Sequence, residues 1–177
     1  MSNKKNRLDY ALSSSDIMEK MDNQTKIIQY GDLVNYSSID QVFGPYKYVF
    51  LLYCLKPNQG HWTVLIKLDA NNIEFFDSYG SDDVDSELSF IPMEYRVHSN
   101  QLHKTLSKLL QKSPYRIHYN DHQMQEFKRG ISTCGRHCIL RCFNSDKTID
   151  EYFKAMKHNS KEDKISMDEL TVRKVHF

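Results

Sequence analysis

Three residues of this chain could together make an acyl-transfer centre: His61 in Gly60-His61-Trp62, Asp77 in Phe75-Phe76-Asp77-Ser78-Tyr79-Gly80, and Cys134 in Thr133-Cys134-Gly135. A sulfur nucleophile needs a base that takes its proton and later gives it to the leaving group. A third group must orient that base. Each residue also has an ordinary explanation: a half-buried histidine at a strand end, a turn-forming aspartate, a packed cysteine. Histidine, acid and cysteine occur in that chain order at three separate loci. For catalysis to be absent, three ordinary explanations must hold independently.

The segment Ile131–Cys142 concentrates three of the four cysteines. Cys134 stands at the start of an expected helix over Cys134–Phe143, where unpaired N–H groups and the helix dipole favour negative charge. Gly135 leaves room there for another backbone or a substrate. Cys138 and Cys142, one and two turns on, read as small buried hydrophobes, and His137 as a bystander. A zinc site of Cys134, His137, Cys138 and Cys142 is disfavoured, because the candidates rest on one helix and no second Cys/His pair completes a tetrahedron. No metal is expected. An oxyanion would need donors, and the backbone N–H of Cys134 with a side-chain amide from Gln125, or alternatively Gln123, could supply them.

These residues must be positioned by a sheet. Tyr46–Leu55 is aromatic and β-branched and reads as a central strand, bounded by Gly44-Pro45 and the turn Pro57–Gly60. His61–Leu68 and Ile73–Asp77 follow, joined by the turn-rich Asp69–Asn72, to give three antiparallel strands. An odd connecting loop would place Asp77 opposite Thr63 and on the face of His61, as diagonal neighbours with Cβ atoms roughly 7–8 Å apart. An even loop would put them on opposite faces.

The first 45 residues read as helical and irregular, with a capping-box-like start at Ser15 or Asp16 and a short helix over Ile39–Phe43. After an acidic loop at Asp82–Glu87, the leucines of Gln101–Lys112 predict a helix ended by Ser113-Pro114. Tyr115–Tyr119 reads as a further strand. Thr148–Glu151 opens a helix to about Lys157, and Ser166–Glu169 a last short one. The expected fold class is α+β: one domain over 1–177, with a small, mostly antiparallel central sheet packed by helices. Its parts are a helical and irregular 1–45, strands carrying His61 and Asp77 over 46–80, helix, strand and nucleophile helix over 99–143, and helices over 144–177.

With 177 residues, 40% hydrophobic and 27% charged, the chain can bury a core. A net charge of +1 gives no field that predicts nucleic-acid or membrane binding. The longest apolar run, around Tyr48–Leu55, is strand-length, far from the roughly 20 residues that span a bilayer. The basic start Met1–Arg7 has no apolar signal core behind it. Bunched cysteines fit a reducing compartment rather than a disulfide framework. No membrane partner is expected.

Gly-His-Trp on a strand, an acid sixteen positions later before a turn, a glutamine, then Thr-Cys-Gly opening a helix resembles the adenovirus-type and SUMO-deconjugating cysteine proteases. The resemblance spans about Tyr46 to Phe143 and rests on joint order and spacing. Within that group, the chain is most similar to maturation proteases of double-stranded DNA viruses or virophages. The resemblance implies an adenain-like fold, His61 as base, Asp77 as its orienting acid, Cys134 as nucleophile and a glutamine in the oxyanion hole. The family sets that glutamine six or seven residues before the cysteine, where this chain has Lys128 and Phe127, so Gln125 is preferred to Gln123 as the closer. It also implies that Trp62 roofs a channel admitting glycine, with cleavage at Gly-Gly or Gly-X. Implied substrates are viral capsid and core precursors, in the virion and the host-cell cytoplasm. No cofactor is implied, a monomer is expected, and a peptide or DNA activator is known among such relatives, although the near-neutral charge speaks against a strong DNA component. The alternatives are an isopeptidase acting on ubiquitin-like modifiers, a Cys-His-Asp acetyltransferase, and a non-catalytic interaction module.

Overall fold

The computed structural model describes residues 4–57 and 59–177. Asn58 in the Pro57–Gly60 turn, and Met1–Asn3 at the head of the basic Met1–Arg7 segment, lie outside them. A first helix, α1 (Ser14–Lys20), is capped by Ser13, whose hydroxyl accepts the Asp16 N–H while the Asp16 carboxylate accepts the Ser13 N–H. The cap is thus Ser13 rather than Ser15 or Asp16, because a capping box sets its acid three residues after its cap.

Strand β1 (Lys26–Gln29) follows, then a 3-10 turn over Tyr30–Asn35 and α2 (Ile39–Phe43). The long strands β2 (Tyr48–Lys56) and β3 (Gln59–Lys67) lead to β4 (Asn72–Phe76). A second 3-10 turn (Ser86–Phe90), α3 (Met93–His98) and α4 (Thr105–Gln111) precede β5 (Arg116–Tyr119). Helices α5 (Cys134–Phe143), α6 (Ile149–Asp163) and α7 (Met167–Lys174) complete the chain.

The five strands lie side by side in sequence order. The three central strands are antiparallel, as their turn-linked apolar runs predict. The edge strands β1 and β5 run parallel to β2 and β4. A parallel neighbour needs a crossover, which the helical segments after β1 and β4 provide. Strand β1 is absent from the sequence reading: its four residues, Lys26-Ile27-Ile28-Gln29, are too short to show a period of two.

Both faces of the sheet are covered, so residues 49–54 of β2 are buried without interruption. Phe50, Leu52, Trp62, Val64, Ile66 and Phe76 face a core shared with α5, α6 and α7. Val49, Leu51, Tyr53, Leu65, Ile73 and Phe75 face the other, with α2 and α4. Period-two alternation divides the strands between these cores.

Helix α4 begins at Thr105, not Gln101. Leu106, Leu109 and Leu110 are buried as the spacing predicts, but Leu102 is exposed. The fully buried Gln101 side chain instead accepts the Cys54 N–H and donates to the Cys54 carbonyl, both at 2.9 Å. Those bonds satisfy backbone groups of β2 where its register with β3 shifts. Helices α6 and α7 start at the expected capping boxes, Thr148/Glu151 and Ser166/Glu169, though α6 runs on to Asp163.

Candidate active site

Strands β3 and β4 pair as Val64↔Phe76 and Lys67↔Ile73, so five residues, 68–72, separate the last paired positions, an odd number. Continuing the ladder by one step sets Asp77 opposite Thr63, with His61 two residues further on the same face. The side chains close the diagonal: His61 Nε2 and Asp77 Oδ1 are 2.8 Å apart. Asp77 is held in turn by its own turn. Oδ1 also accepts the Tyr79 N–H at 2.9 Å, and the Asp77 carbonyl accepts Asn120 Nδ2 at 2.6 Å. Tyr79 stacks on the imidazole with centroids 4.7 Å apart. Beside the histidine, a Cβ on Gly60 would stand 2.0 Å from the Tyr53 carbonyl, so only glycine fits there.

Cys134 opens α5, and α5 lies across β3. The Trp62 N–H points at Cys134 Sγ at 3.5 Å, and the Cys138 thiol points at the Trp62 carbonyl at 3.5 Å. The residue after the histidine is therefore gripped by two sulfurs of one helix. With Nε2 turned to Asp77, Nδ1 is the ring nitrogen left for Cys134, which lines the same hollow. Burial alone would lower the His61 pKa. The charge and hydrogen bond of Asp77, with a smaller contribution from Cys134, outweigh burial and hold it well above the ordinary imidazole value. Cys138 and Cys142 lie in the core, where burial pushes their thiols well up.

Thr133 precedes α5 without capping it, so the Cys134 N–H has no acceptor among the described residues. Gln125 is buried and lines the same cleft as Cys134 and His61. Its Oε1 accepts Ser78 Oγ at 2.7 Å and its Nε2 donates to the Tyr79 hydroxyl at 3.3 Å, which leaves one amide hydrogen uncommitted. Gln123 is turned aside, donating to the Gln125 carbonyl at 3.1 Å. Trp62 is buried and gives its indole N–H to the Leu12 carbonyl at 2.9 Å. A Cβ on Gly135 would meet Leu12 and Trp62 atoms at 3.2–3.3 Å, so this glycine seats the helix against the indole.

The cleft has two arms. One, about 840 Å³, runs past Trp62, Leu12, Ser13 and Gln59. The other, about 280 Å³, runs past Tyr79, Glu87, Phe90 and Phe127. Between them, a hollow of about 290 Å³ contains Cys134, His61 and Gln125.

Three features escape sequence reasoning. Glu87, the last residue of the acidic loop Asp82–Glu87, is buried with its carboxyl beside His61 and Asp77. His137 gives Nε2 to Asp168 of α7 at 3.0 Å, both side chains being buried. Arg141 grips Glu74 with two bonds of 2.7 and 2.8 Å, joining α5 to β4 out of solvent. No local signal marks these pairs, since each joins residues far apart in sequence.

Among the described residues, His61, Asp77 and Glu87 form one group whose potential metal-ligand atoms lie within 4.8 Å of one another, and Asp121, His122 and Asp150 form another. The cysteine-helix zinc set is not gathered in this way, because His137 is turned to Asp168. No described helix is long and apolar enough to cross a membrane.

The chain is 42% identical over 160 residues to the uncharacterized protein V9 of Sputnik virophage, across 90% of this chain and 91% of that one. Among solved structures it is similar to the C-terminal Ulp1 protease domain in complex with Smt3, the yeast orthologue of SUMO. That likeness has 17% identity and a TM-score of 0.43, covering 97% of this chain and 79% of the other. No protein-family model matches.

Proposed function

We propose that this chain, which belongs to the family of Sputnik virophage protein V9, is a cysteine endopeptidase acting through Cys134, His61 and Asp77. The observation that carries the reading is the buried His61–Asp77 bond of 2.8 Å, with a cysteine at a helix start lining the same hollow as that imidazole. A structural histidine has no need of both partners.

In this reading Cys134 gives its proton to His61 Nδ1, and Sγ attacks the carbonyl of the scissile bond. The oxyanion is held by the Cys134 N–H and the uncommitted amide hydrogen of Gln125. The imidazolium, stabilised by Asp77, then protonates the leaving amine, and a thioester remains on Cys134. Water attacks the thioester, giving its proton to His61, and the thiol is regenerated. No cofactor enters these steps.

The Trp62 arm takes the residues before the cut. With Trp62 fixed by Leu12 and Gly135, small residues suit the approach to Cys134, which favours a glycine-containing site. Kinship with a virophage protein supports structural precursors of a virus as substrates and the virus factory or virion as the place of action.

The test is a peptide library with glycine at the positions flanking the cut, offered to the wild type and to Cys134→Ala. Cleavage by the first and its loss by orders of magnitude in the second, with folding preserved, supports the reading. Cleavage of lysine-linked isopeptides and not of linear peptides would convert it to an isopeptidase. Absence of any cleavage by the folded wild type would remove it.

A further inference from the structure

Glu87 has no task in the chemistry just described, yet it is 8% exposed and borders both the central hollow and the smaller arm of the cleft. Its carboxyl accepts no hydrogen bond among the described residues. Its oxygens are not among the polar atoms sealed from solvent without a partner, so the carboxyl opens on the cleft, a space large enough for a side chain.

The segment bearing it is held firmly. Asp85 takes the Tyr30 hydroxyl at 2.5 Å and the Ser107 N–H at 3.2 Å, and the Val84 carbonyl accepts the Tyr53 hydroxyl. Glu87 is therefore presented rather than left loose.

The surroundings define what would meet it. Phe90 and Phe127 are exposed at 61% and 73%. Phe127 lies edge-on to Tyr79 at 5.3 Å and within 6.2 Å of Phe90. The arm thus has aromatic walls at its mouth and a carboxyl at depth. Aromatic faces attract a cation and pack against the aliphatic stem that carries it. The charge balance points the same way, since Asp77 is bonded to His61, whereas Glu87, within 4.8 Å of the same imidazole, forms no bond with it. Burial, with help from Asp77 and against the pull of His61, raises the Glu87 pKa, and an incoming cation offsets that burial.

Resting on the protease reading, we infer that this arm binds a basic side chain, lysine or arginine, of the substrate residue that follows the scissile bond. The Trp62 arm lies on the other side of Cys134, which assigns this one to the leaving side.

The test uses the full chain and matched peptides that carry lysine, acetyl-lysine, norleucine or glutamate after the cut. EDTA is present, because His61, Asp77 and Glu87 could take a stray divalent ion. For the wild type, kcat/KM for the lysine peptide should exceed that for acetyl-lysine or norleucine by about tenfold or more, the scale of a hydrogen bond to a charged group. Glu87→Gln should abolish that preference, and Glu87→Lys should turn it toward glutamate. The acetyl-lysine comparison needs no variant, so a variant that fails to fold does not obscure the answer.

Equal rates for the four peptides, or a preference unchanged in Glu87→Gln, would overturn the inference and leave the protease reading intact. If the wild type cleaves none of them, the protease reading fails, and equilibrium binding to Cys134→Ala decides the inference. Tighter binding of the lysine peptide than of its acetylated form, lost on adding Glu87→Gln, upholds the arm as a cation site. Equal binding refutes it.

Discussion

Asp168, on the last helix, takes His137 Nε2 at 3.0 Å, and the same carboxylate accepts the hydroxyl of Thr133, the residue just before Cys134. Its other oxygen accepts the Glu126 N–H at 2.9 Å. One buried carboxylate thus fixes the start of α5, its first turn, and the residue after Gln125.

Asp168→Ala should lower the unfolding free energy by about 3 kcal/mol, since it leaves buried donors without an acceptor. It should also lower kcat/KM through misplacement of Gln125 and Cys134. Burial raises the Asp168 pKa, but His137, Thr133 and the Glu126 N–H outweigh burial and lower it. A depressed carboxylate contributes stability that is present above its unfolded value of about 3.9 and lost as pH falls through the folded value. Denaturant melts from pH 7 to pH 2 should show an acid-side loss that is smaller in Asp168→Asn than in the wild type.

The raised His61 pKa sets the alkaline behaviour. Imidazolium is needed to protonate the leaving group, so the alkaline limb of kcat/KM should lie well above the ordinary value of about 6.5. Asp77→Asn removes the main cause of the rise. It should bring that limb to lower pH and reduce kcat/KM about a hundredfold or more. The stability sign agrees: the His61 contribution is full below about 6.5 and is lost as pH rises through the folded value. An alkaline limb at the free imidazole value in both proteins would contradict the proposed orientation.

The Arg141–Glu74 pair is wholly buried and bidentate. Glu74→Ala should destabilise by about 3–5 kcal/mol, because it strands a guanidinium inside the protein. Replacing both residues by apolar ones of similar volume should recover most of that loss. Equal losses in the single and double variants, measured by urea unfolding, would refute this coupling.

Much of this was legible in the sequence because the signals were local. The runs of β2, β3 and β4 are apolar enough to declare a sheet, and their turns set the antiparallel order. Cys134 stood out from Cys138 and Cys142 by its place at a helix start. The His61–Asp77 bond depended on the parity of one connection, which residue types alone do not decide. Gln101 was read as helical because leucines follow it, although its amide serves Cys54, 47 positions away. His137 looked idle, and Glu87 was one more residue of an acidic loop, because their surroundings are built by α7 and by β3 and β4, which no neighbouring residue announces.

The central claim, that Cys134 is the activated thiol of the four cysteines, is tested most directly by mapping a covalent adduct. A peptide ending in a glycine-derived electrophile would be incubated with the full chain and the products located by mass spectrometry. One adduct per chain is expected, on Cys134, abolished by His61→Ala and slowed by Asp77→Asn. No adduct on the folded wild type, labelling spread over the cysteines, or a rate indifferent to His61 would contradict it.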